Sequence, residues 1–295
     1  NMNIPRISIG TAGFANMYEN ITLDECSKIV NKAIIHKYSY FDTAPYYGNG
    51  QSEEILGKCL KNYSRDKFFI STKAGRIGNE FKYGYYDIIQ SVMKSLKRLG
   101  IKYIDIVFIH DIECCKALNI ILEESLPALK YLQNQGFVKY IGISGLYLNQ
   151  LNYVSDNFKI DYILTYCCYT LINNSLTKYS DKWKEQNIKI IQGGVTSMGL
   201  LTPQGPPRWH PASYDIKAVC NKLNHFCSEK NIHIVEKAFY YTYHNPNIDT
   251  ILLGITSVNQ LDQYIDWVNR LYCNNKIYIN TLVEMSKLIH NKLWN

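Results

Sequence analysis

The sequence predicts an α/β fold, a (β/α)8 TIM barrel forming one domain over residues 1–295. Three observations predict it. Short runs that are apolar throughout alternate with amphipathic stretches, and such runs suit parallel strands covered on both faces. These runs number eight, and strict alternation of strand and helix implies parallel neighbours joined by right-handed crossovers. The rival fold, an open doubly wound sheet, calls for a GxGxxG turn after one strand, and the chain has none.

The strands are expected to begin near Ile7, Ser39, Phe68, Ile104, Val138, Asp161, Ile188 and Thr250. Between the first two, Thr22-Leu23-Asp24-Glu25 reads as a capping box, with Ile29, Val30, Ala33 and Ile34 on one face behind it. Ile88, Ile89, Val92, Leu96 and Leu99 repeat at helical spacing until Gly100 stops the helix. Ser257-Val258-Asn259-Gln260 reads as a second capping box, after the eighth strand. The connection between strands seven and eight is abnormally long. It opens with a Pro- and Gly-rich loop, from Thr202 to Pro211, and continues as helical segments near 216–230 and 235–243. Long ordered loops in compact domains are more often functional than accidental. A further helix near 278–293 is expected outside the barrel.

Bulk properties narrow the function. The net charge of +7 comes from lysines scattered among acidic residues, so no basic stripe marks a nucleic-acid partner. No apolar run approaches the ~20 residues that cross a bilayer, and the first residues lack a secretory pattern, so a cytoplasmic protein with no membrane partner is expected. Nine cysteines, an odd number with no CxxC pair, read as reduced and mostly buried thiols. No His-x-His pair occurs on a strand; a metal-dependent barrel hydrolase is disfavoured and no metal is expected.

Barrel enzymes keep their chemistry at the C-terminal ends of the strands. Asp42 ends the second strand, Lys73 the third, His110 the fourth and Ser144 the fifth, and Tyr47 lies five residues past Asp42. Each has an ordinary explanation singly: a structural histidine, a solvated lysine, one tyrosine among 25. Their coincidence on one rim has chemical sense. Carbonyl reduction needs a proton donor at oxygen, and alcohol oxidation needs a base. A phenol serves at neutral pH only if its anion is stabilised, which a nearby ammonium does. Asp42 would hold Lys73 charged, His110 would share the proton or bind the substrate oxygen, and Tyr47 would be the acid/base.

Phe41-Asp42-Thr43-Ala44-Pro45-Tyr46-Tyr47-Gly48, with Ser52-Glu53 and Leu56-Gly57 behind it, resembles the aldo-keto reductase signature. Ser71-Thr72-Lys73 and Ile109-His110 are similar to the family's lysine and histidine segments. The resemblance runs from about residue 7 to 268 and implies a catalytic tetrad at Asp42, Tyr47, Lys73 and His110. His110-Asp111-Ile112-Glu113, Ser144-Gly145-Leu146 and the Pro-rich stretch around Trp209 are similar to the L-galactose dehydrogenase-like branch. The resemblance implies an NAD(P)-dependent oxidoreductase acting on an aldose or aldehyde, oxidising the C1 hydroxyl of a hexose such as L-galactose to a lactone. A nicotinamide-binding regulatory subunit with little sustained turnover is the alternative.

By the same resemblance Ser144 meets the nicotinamide amide, and the loop containing Gly194, Ser197, Met198, Gly199 and Leu200 wraps the pyrophosphate. Gly254, Thr256, Ser257 and Gln260 hold the adenosine end, where a helix N-terminus favours phosphate. The chain departs from the common pattern at Gly145 (usually Asn), Leu164 (usually Gln), Gly193 (usually aromatic) and Gly194-Val195-Thr196 (usually Ser-Pro-Leu). NADP-preferring members place Lys and Arg where this chain has Gly254 and Gln260, which favours NAD. Phe14, Tyr46 and Trp209 are the expected substrate-lining aromatics.

Overall fold

The computed structural model describes residues 4–17 and 20–271. Eight parallel strands close into a barrel: β1 (Ile7–Gly10), β2 (Tyr40–Asp42), β3 (Phe69–Ala74), β4 (Ile104–Ile109), β5 (Val138–Gly145), β6 (Tyr162–Tyr166), β7 (Lys189–Gly193) and β8 (Thr250–Gly254). Each strand pairs with its sequence neighbours, and β8 closes on β1 with Ile7 opposite Ile251 and Gly10 opposite Gly254. Every expected strand is present, beginning within one residue of its expected start. The apolar runs are nearly continuous because one side chain in two fills the barrel and the next packs under the helices. Tyr40, Phe69, Ile106, Phe108, Tyr162, Leu164 and Ile191 form the inner cluster. Ile70, Val107, Ile109, Ile163 and Ile190, from the alternate positions, join the outer core beneath the helices.

The helices are α1 (Leu23–Ile35), α2 (Gln51–Leu60), α3 (Tyr85–Leu99), α4 (Leu126–Asn134), α5 (Leu148–Asn157), α6 (Thr177–Glu185), α7 (Tyr214–Glu229), α8 (Ile234–Tyr243) and α9 (Val258–Leu271). Gly100 ends α3 at φ 67°, a left-handed cap open to glycine without strain. The long connection carries α7 and α8, within two residues of the expected segments. These build a second small core with Leu200, Leu201 and Cys167. The helix expected near 278–293 lies outside the described residues.

One capping expectation is corrected. Thr22 Oγ1 does accept the Glu25 N–H, but the Glu25 carboxylate does not return to Thr22. It accepts instead from the Val258 N–H at 2.8 Å, capping the neighbouring helix α9. The tertiary contact wins because α9 packs against α1 and offers an orphan donor of its own. No helix among the described residues is long and apolar enough to cross a membrane.

Candidate active site

Four residues far apart in the chain meet at the C-terminal mouth because their strands are neighbours there. Asp42 ends β2 in register with Ser71 of β3, Lys73 stands one residue before the end of β3, and His110 follows β4, its N–H bonded to Ala74 O at 2.8 Å. Lys73 Nζ donates to Asp42 Oδ2 at 2.6 Å, to Thr43 O at 2.9 Å and to Tyr47 Oη at 3.1 Å. Ser71 Oγ donates to Asp42 Oδ1 at 2.6 Å and Tyr40 Oη to Ser71 Oγ at 2.9 Å. The rings of Tyr47 and His110 lie edge to face, centroids 6.4 Å apart.

Tyr47 sits on a loop, so its position needs separate support. Gly48, Asn49 and Gly50 turn in succession through left-handed conformations before α2 begins. At Gly48 a Cβ would fall 2.7 Å from that of Ala15, so glycine is required by space as well as by φ. The first turn of α2 then locks the loop to the barrel. Ser52 Oγ donates to Thr11 O at 2.7 Å and accepts from Thr43 Oγ1 at 3.0 Å. The buried Glu53 accepts from Thr72 Oγ1 and Arg98 Nε, each at 2.6 Å.

Burial and charge set the protonation states. Burial alone would lower the Lys73 ammonium, but the Asp42 carboxylate and the Tyr47 hydroxyl outweigh it and hold the group above the ordinary lysine range. Lys73 is therefore a fixed cation against the phenol oxygen. His110 goes the other way: burial pushes it down to about 3, against the pull of Asp111, with the Lys73 and Arg76 cations acting in the same sense as burial. Its imidazole is neutral at physiological pH. Such a cluster can take or give a proton at Tyr47 while a neutral imidazole holds the oxygen that loses or gains it.

Around these four stand residues that sequence reasoning did not select. Arg76 begins a two-stranded hairpin, Arg76–Ile77 with Glu80–Phe81, just past the end of β3. Its Nη1 meets Asp111 Oδ2 at 2.5 Å and its guanidinium lies 4.0 Å from the Tyr46 ring centroid. Tyr46, an expected substrate residue, packs edge to face on His110 at 5.8 Å. Tyr166 lies beside Gly193, its Cβ 3.6 Å from where one on that glycine would be. The positive φ of Asp111 and the loop turns that make these contacts carry no periodic signal. The resemblance of the His-Asp-Ile-Glu segment is the one hint for Asp111 in the sequence.

The other expected substrate aromatics do not join the group. Phe14 is fully buried in the outer core, because the short helix Ala12–Ala15 turns its ring inward. Trp209 is 70% exposed on the insertion, its ring stacked on His210 of the same loop.

Opposite the four polar residues the barrel wall is bare. Ile191 and Leu252 face inward, so Gly193 and Gly254, two residues on, share that face. Gly10 pairs in register with both Asp42 and Gly254. Three adjacent strands therefore end without side chains. At Gly193 a Cβ would make only ordinary contacts at 3.6 Å or more, so packing does not demand glycine there; the omission leaves room.

The remaining expected cofactor residues spread from that wall. Ser144 is buried, its Oγ accepting the Asp111 N–H at 3.1 Å. In the loop after β7, Gly194, Ser197, Met198 and Gly199 all have positive φ. Gly194, Met198 and Gly199 are partly open, whereas Ser197 and Leu200 are buried. Leu200 packs in the second core and Ser197 Oγ donates to Thr170 Oγ1 at 3.0 Å, which withdraws both side chains from a ligand. His210 Nε2 lies 3.1 Å from Ser197 O, tying the Pro-rich stretch to this loop. Gln260 Oε1 accepts from Thr256 N at 2.9 Å and Ser257 Oγ from Gln260 N at 3.2 Å; Gly254 is exposed. Among the described residues no three His, Cys, Asp or Glu converge as a metal site.

Comparisons with known proteins agree with this architecture. The pattern of the Aldo/keto reductase family matches residues 6–277. The chain is 33% identical to L-galactose dehydrogenase of Arabidopsis thaliana, over 92% of this chain and 86% of that protein. It is 31% identical to D-arabinose 1-dehydrogenase of Saccharomyces cerevisiae, over 84% of this chain and 77% of that one. A holo-form aldo-keto reductase from Bacillus halodurans superposes with a TM-score of 0.80 at 20% identity, over 99% of this chain and 94% of the other.

Proposed function

The chain belongs to the aldo/keto reductase family and is an oxidoreductase; from that premise we propose that it oxidises the C1 hydroxyl of a neutral aldose to the lactone with NAD, as a single catalytic domain. The observation that carries the reading is the Tyr47 hydroxyl 3.1 Å from a lysine that is itself 2.6 Å from a buried aspartate. Bound at the mouth, a nicotinamide would accept the hydrogen of C1 with its electron pair. Tyr47, as phenolate, takes the hydroxyl proton, so the C1–H and O–H bonds break and the C=O bond of the lactone forms. Lys73 stabilises the phenolate, Asp42 fixes Lys73, and neutral His110 holds the reacting oxygen. The reverse order reduces the lactone, and the same transfers to an aldehyde carbonyl would give its alcohol.

In this reading Ser144 would meet the carboxamide and Tyr166, from the neighbouring strand, would supply the aromatic face that Gly193 lacks. Gly194, Met198 and Gly199 are available to the pyrophosphate, and Gly254, Thr256, Ser257 and Gln260 to the adenosine end. The N-terminus of α9 would ordinarily welcome a phosphate, but the Glu25 carboxylate already accepts its Val258 N–H. A 2′-phosphate there meets a negative charge, which supports NAD over NADP. The eight cysteines among the described residues are all free, consistent with a reducing, cytoplasmic setting.

The names of the relatives, aldose dehydrogenases of hexoses and pentoses, support the substrate class. The test is absorbance at 340 nm with a panel of aldoses and either NAD or NADP, beside Tyr47→Phe. Loss of proton transfer should lower kcat by ~10²–10⁴-fold while the dinucleotide still quenches tryptophan fluorescence. Undiminished turnover in Tyr47→Phe defeats the reading.

A further inference from the structure

Asp111 directly follows His110, and its backbone adopts φ 45°, ψ 69°, the left-handed region. Three hydrogen bonds hold it there. Tyr83 Oη donates to the carbonyls of His110 at 2.7 Å and Asp111 at 3.0 Å, and the Asp111 N–H donates to Ser144 Oγ at 3.1 Å. A strand that simply ran on would send this carboxylate away from the barrel. The left-handed turn instead folds it back over the imidazole, with Oδ2 3.6 Å from His110 Nε2. Strained backbone over-determined by its surroundings is what functional positions show.

The carboxylate does not stand alone. Arg76 Nη1 holds Oδ2 at 2.5 Å, and the guanidinium is itself held on the Tyr46 ring. Arg76 Nε is buried without a hydrogen-bond partner, so the pair retains an unused donor. The hairpin, Asp111 and Tyr46 thus form one wall of the mouth, contiguous with His110. The wall is rich in hydrogen-bonding groups and its two charges cancel. A phosphorylated or carboxylated substrate gains nothing from a cation already neutralised, and an apolar aldehyde would leave the pair's hydrogen-bonding capacity unused. A neutral polyol suits it. In a sugar the oxygens on adjacent carbons lie within hydrogen-bonding distance of each other. With the reacting oxygen on His110, the hydroxyl of the next carbon comes within reach of Asp111.

We infer that Asp111, anchored by Arg76, is the residue that reads the hydroxyl next to the reacting carbon, and so selects free aldoses over sugar phosphates and over aldehydes without hydroxyls. The inference rests on the proposed role of His110 in holding the reacting oxygen.

The experiment pairs a deletion in the protein with one in the substrate: kcat/KM for an aldose and for its 2-deoxy counterpart, in wild type, Asp111→Asn and Arg76→Met. Sites built to hydrogen-bond a hydroxyl discriminate strongly against its absence; the wild type should lose at least about tenfold on the 2-deoxy sugar, a factor set well below the limit for such sites. In Asp111→Asn the aldose should lose activity and the further penalty for the missing hydroxyl should shrink to about threefold or less, as expected when the partner group is already gone. Arg76→Met should fall between. The same 2-deoxy penalty in all three proteins overturns the inference, leaving an ion pair that only steadies the hairpin. Dinucleotide binding by fluorescence checks that each variant is folded; should Asp111→Asn fail that check, Arg76→Met carries the comparison. A wild type that oxidises no aldose overturns the parent function as well, whereas aldose turnover without the coupling overturns this inference only.

Discussion

The two sides of the barrel mouth are built on opposite plans. From β2 to β4 the strand ends carry Asp42, Lys73 and His110, all buried, with Lys73 and Ser71 each bonded to the Asp42 carboxylate at 2.6 Å. From β7 through β8 to β1 they end in Gly193, Gly254 and Gly10. The crowded side fixes charges, so that no reorganisation is needed when a proton moves. The bare side has no side chains to reorganise, and in the proposed reading its space is left to the dinucleotide. The difference teaches that chemistry and binding can be separated across one ring of strands. It also means that damage to each side should read out differently.

The largest expected effect breaks the crowded side. Lys73→Met removes the cation beside Tyr47 and leaves the Asp42 carboxylate buried without its counter-charge. Turnover should fall ~10²–10⁴-fold. Breaking a buried pair from one end costs about 3–5 kcal/mol, or roughly 6–20 °C in melting temperature for a domain of this size. Adding Asp42→Asn should restore much of the melting temperature and none of the turnover. A double variant that recovers activity would show that the cation's role is structural only.

The next effect separates space kept open from space already filled. Gly193→Leu should weaken dinucleotide binding by at least about tenfold, since 1.4 kcal/mol of lost contact suffices, with the melting temperature little changed. Gly142 lies on the same inward face but deeper, where a Cβ would sit 2.6 Å from Tyr162 O and 2.7 Å from the Phe108 ring. Gly142→Ala should instead lower stability by about 1–3 kcal/mol and leave dinucleotide affinity nearly intact. Equal effects of the two substitutions on binding, measured by fluorescence titration, would remove the distinction between the two plans.

The same division decided what the sequence could show. The strands and Asp42, Lys73 and His110 were legible because a strand end is marked by where an apolar run stops, and the barrel rule then places the residue. Tyr47 was legible through its short distance from Asp42. The Arg76–Asp111 pair was not: it joins residues 35 apart through a hairpin and a left-handed turn, neither of which has a period. Phe14 looked like a rim aromatic by position, yet a short helix buries it. Ser197 and Leu200 were sound choices by position, but the second core and Thr170 had claims on their side chains that only the folded loop reveals. Glu25 obeyed a local capping rule until a distant helix offered a better donor.

The smallest effect concerns pH and tests the boundary between the two sides. His110 on the crowded side is pushed down to about 3, first by burial. Glu113, whose Oε1 accepts the Leu146 N–H at 2.7 Å just past β5, is pushed up to about 7, again first by burial. The signs oppose. Between about pH 6.5 and 3 the unfolded chain binds a proton at His110 that the folded chain refuses, so this group costs stability as the solution is acidified. Between about pH 4.5 and 7 the folded chain keeps a proton at Glu113 that the unfolded chain releases, so this group costs stability as pH rises. The two contributions partly cancel where the windows overlap, and the melting temperature of the wild type should vary little there. Each variant should uncover the other group. His110→Gln should melt lower as pH climbs from about 4.5 to 7, and Glu113→Gln should melt lower as pH drops below about 6.5, each by at most ~1.4 kcal/mol per pH unit. Parallel melting curves for both variants across this range would mean that burial does not set these two groups against each other.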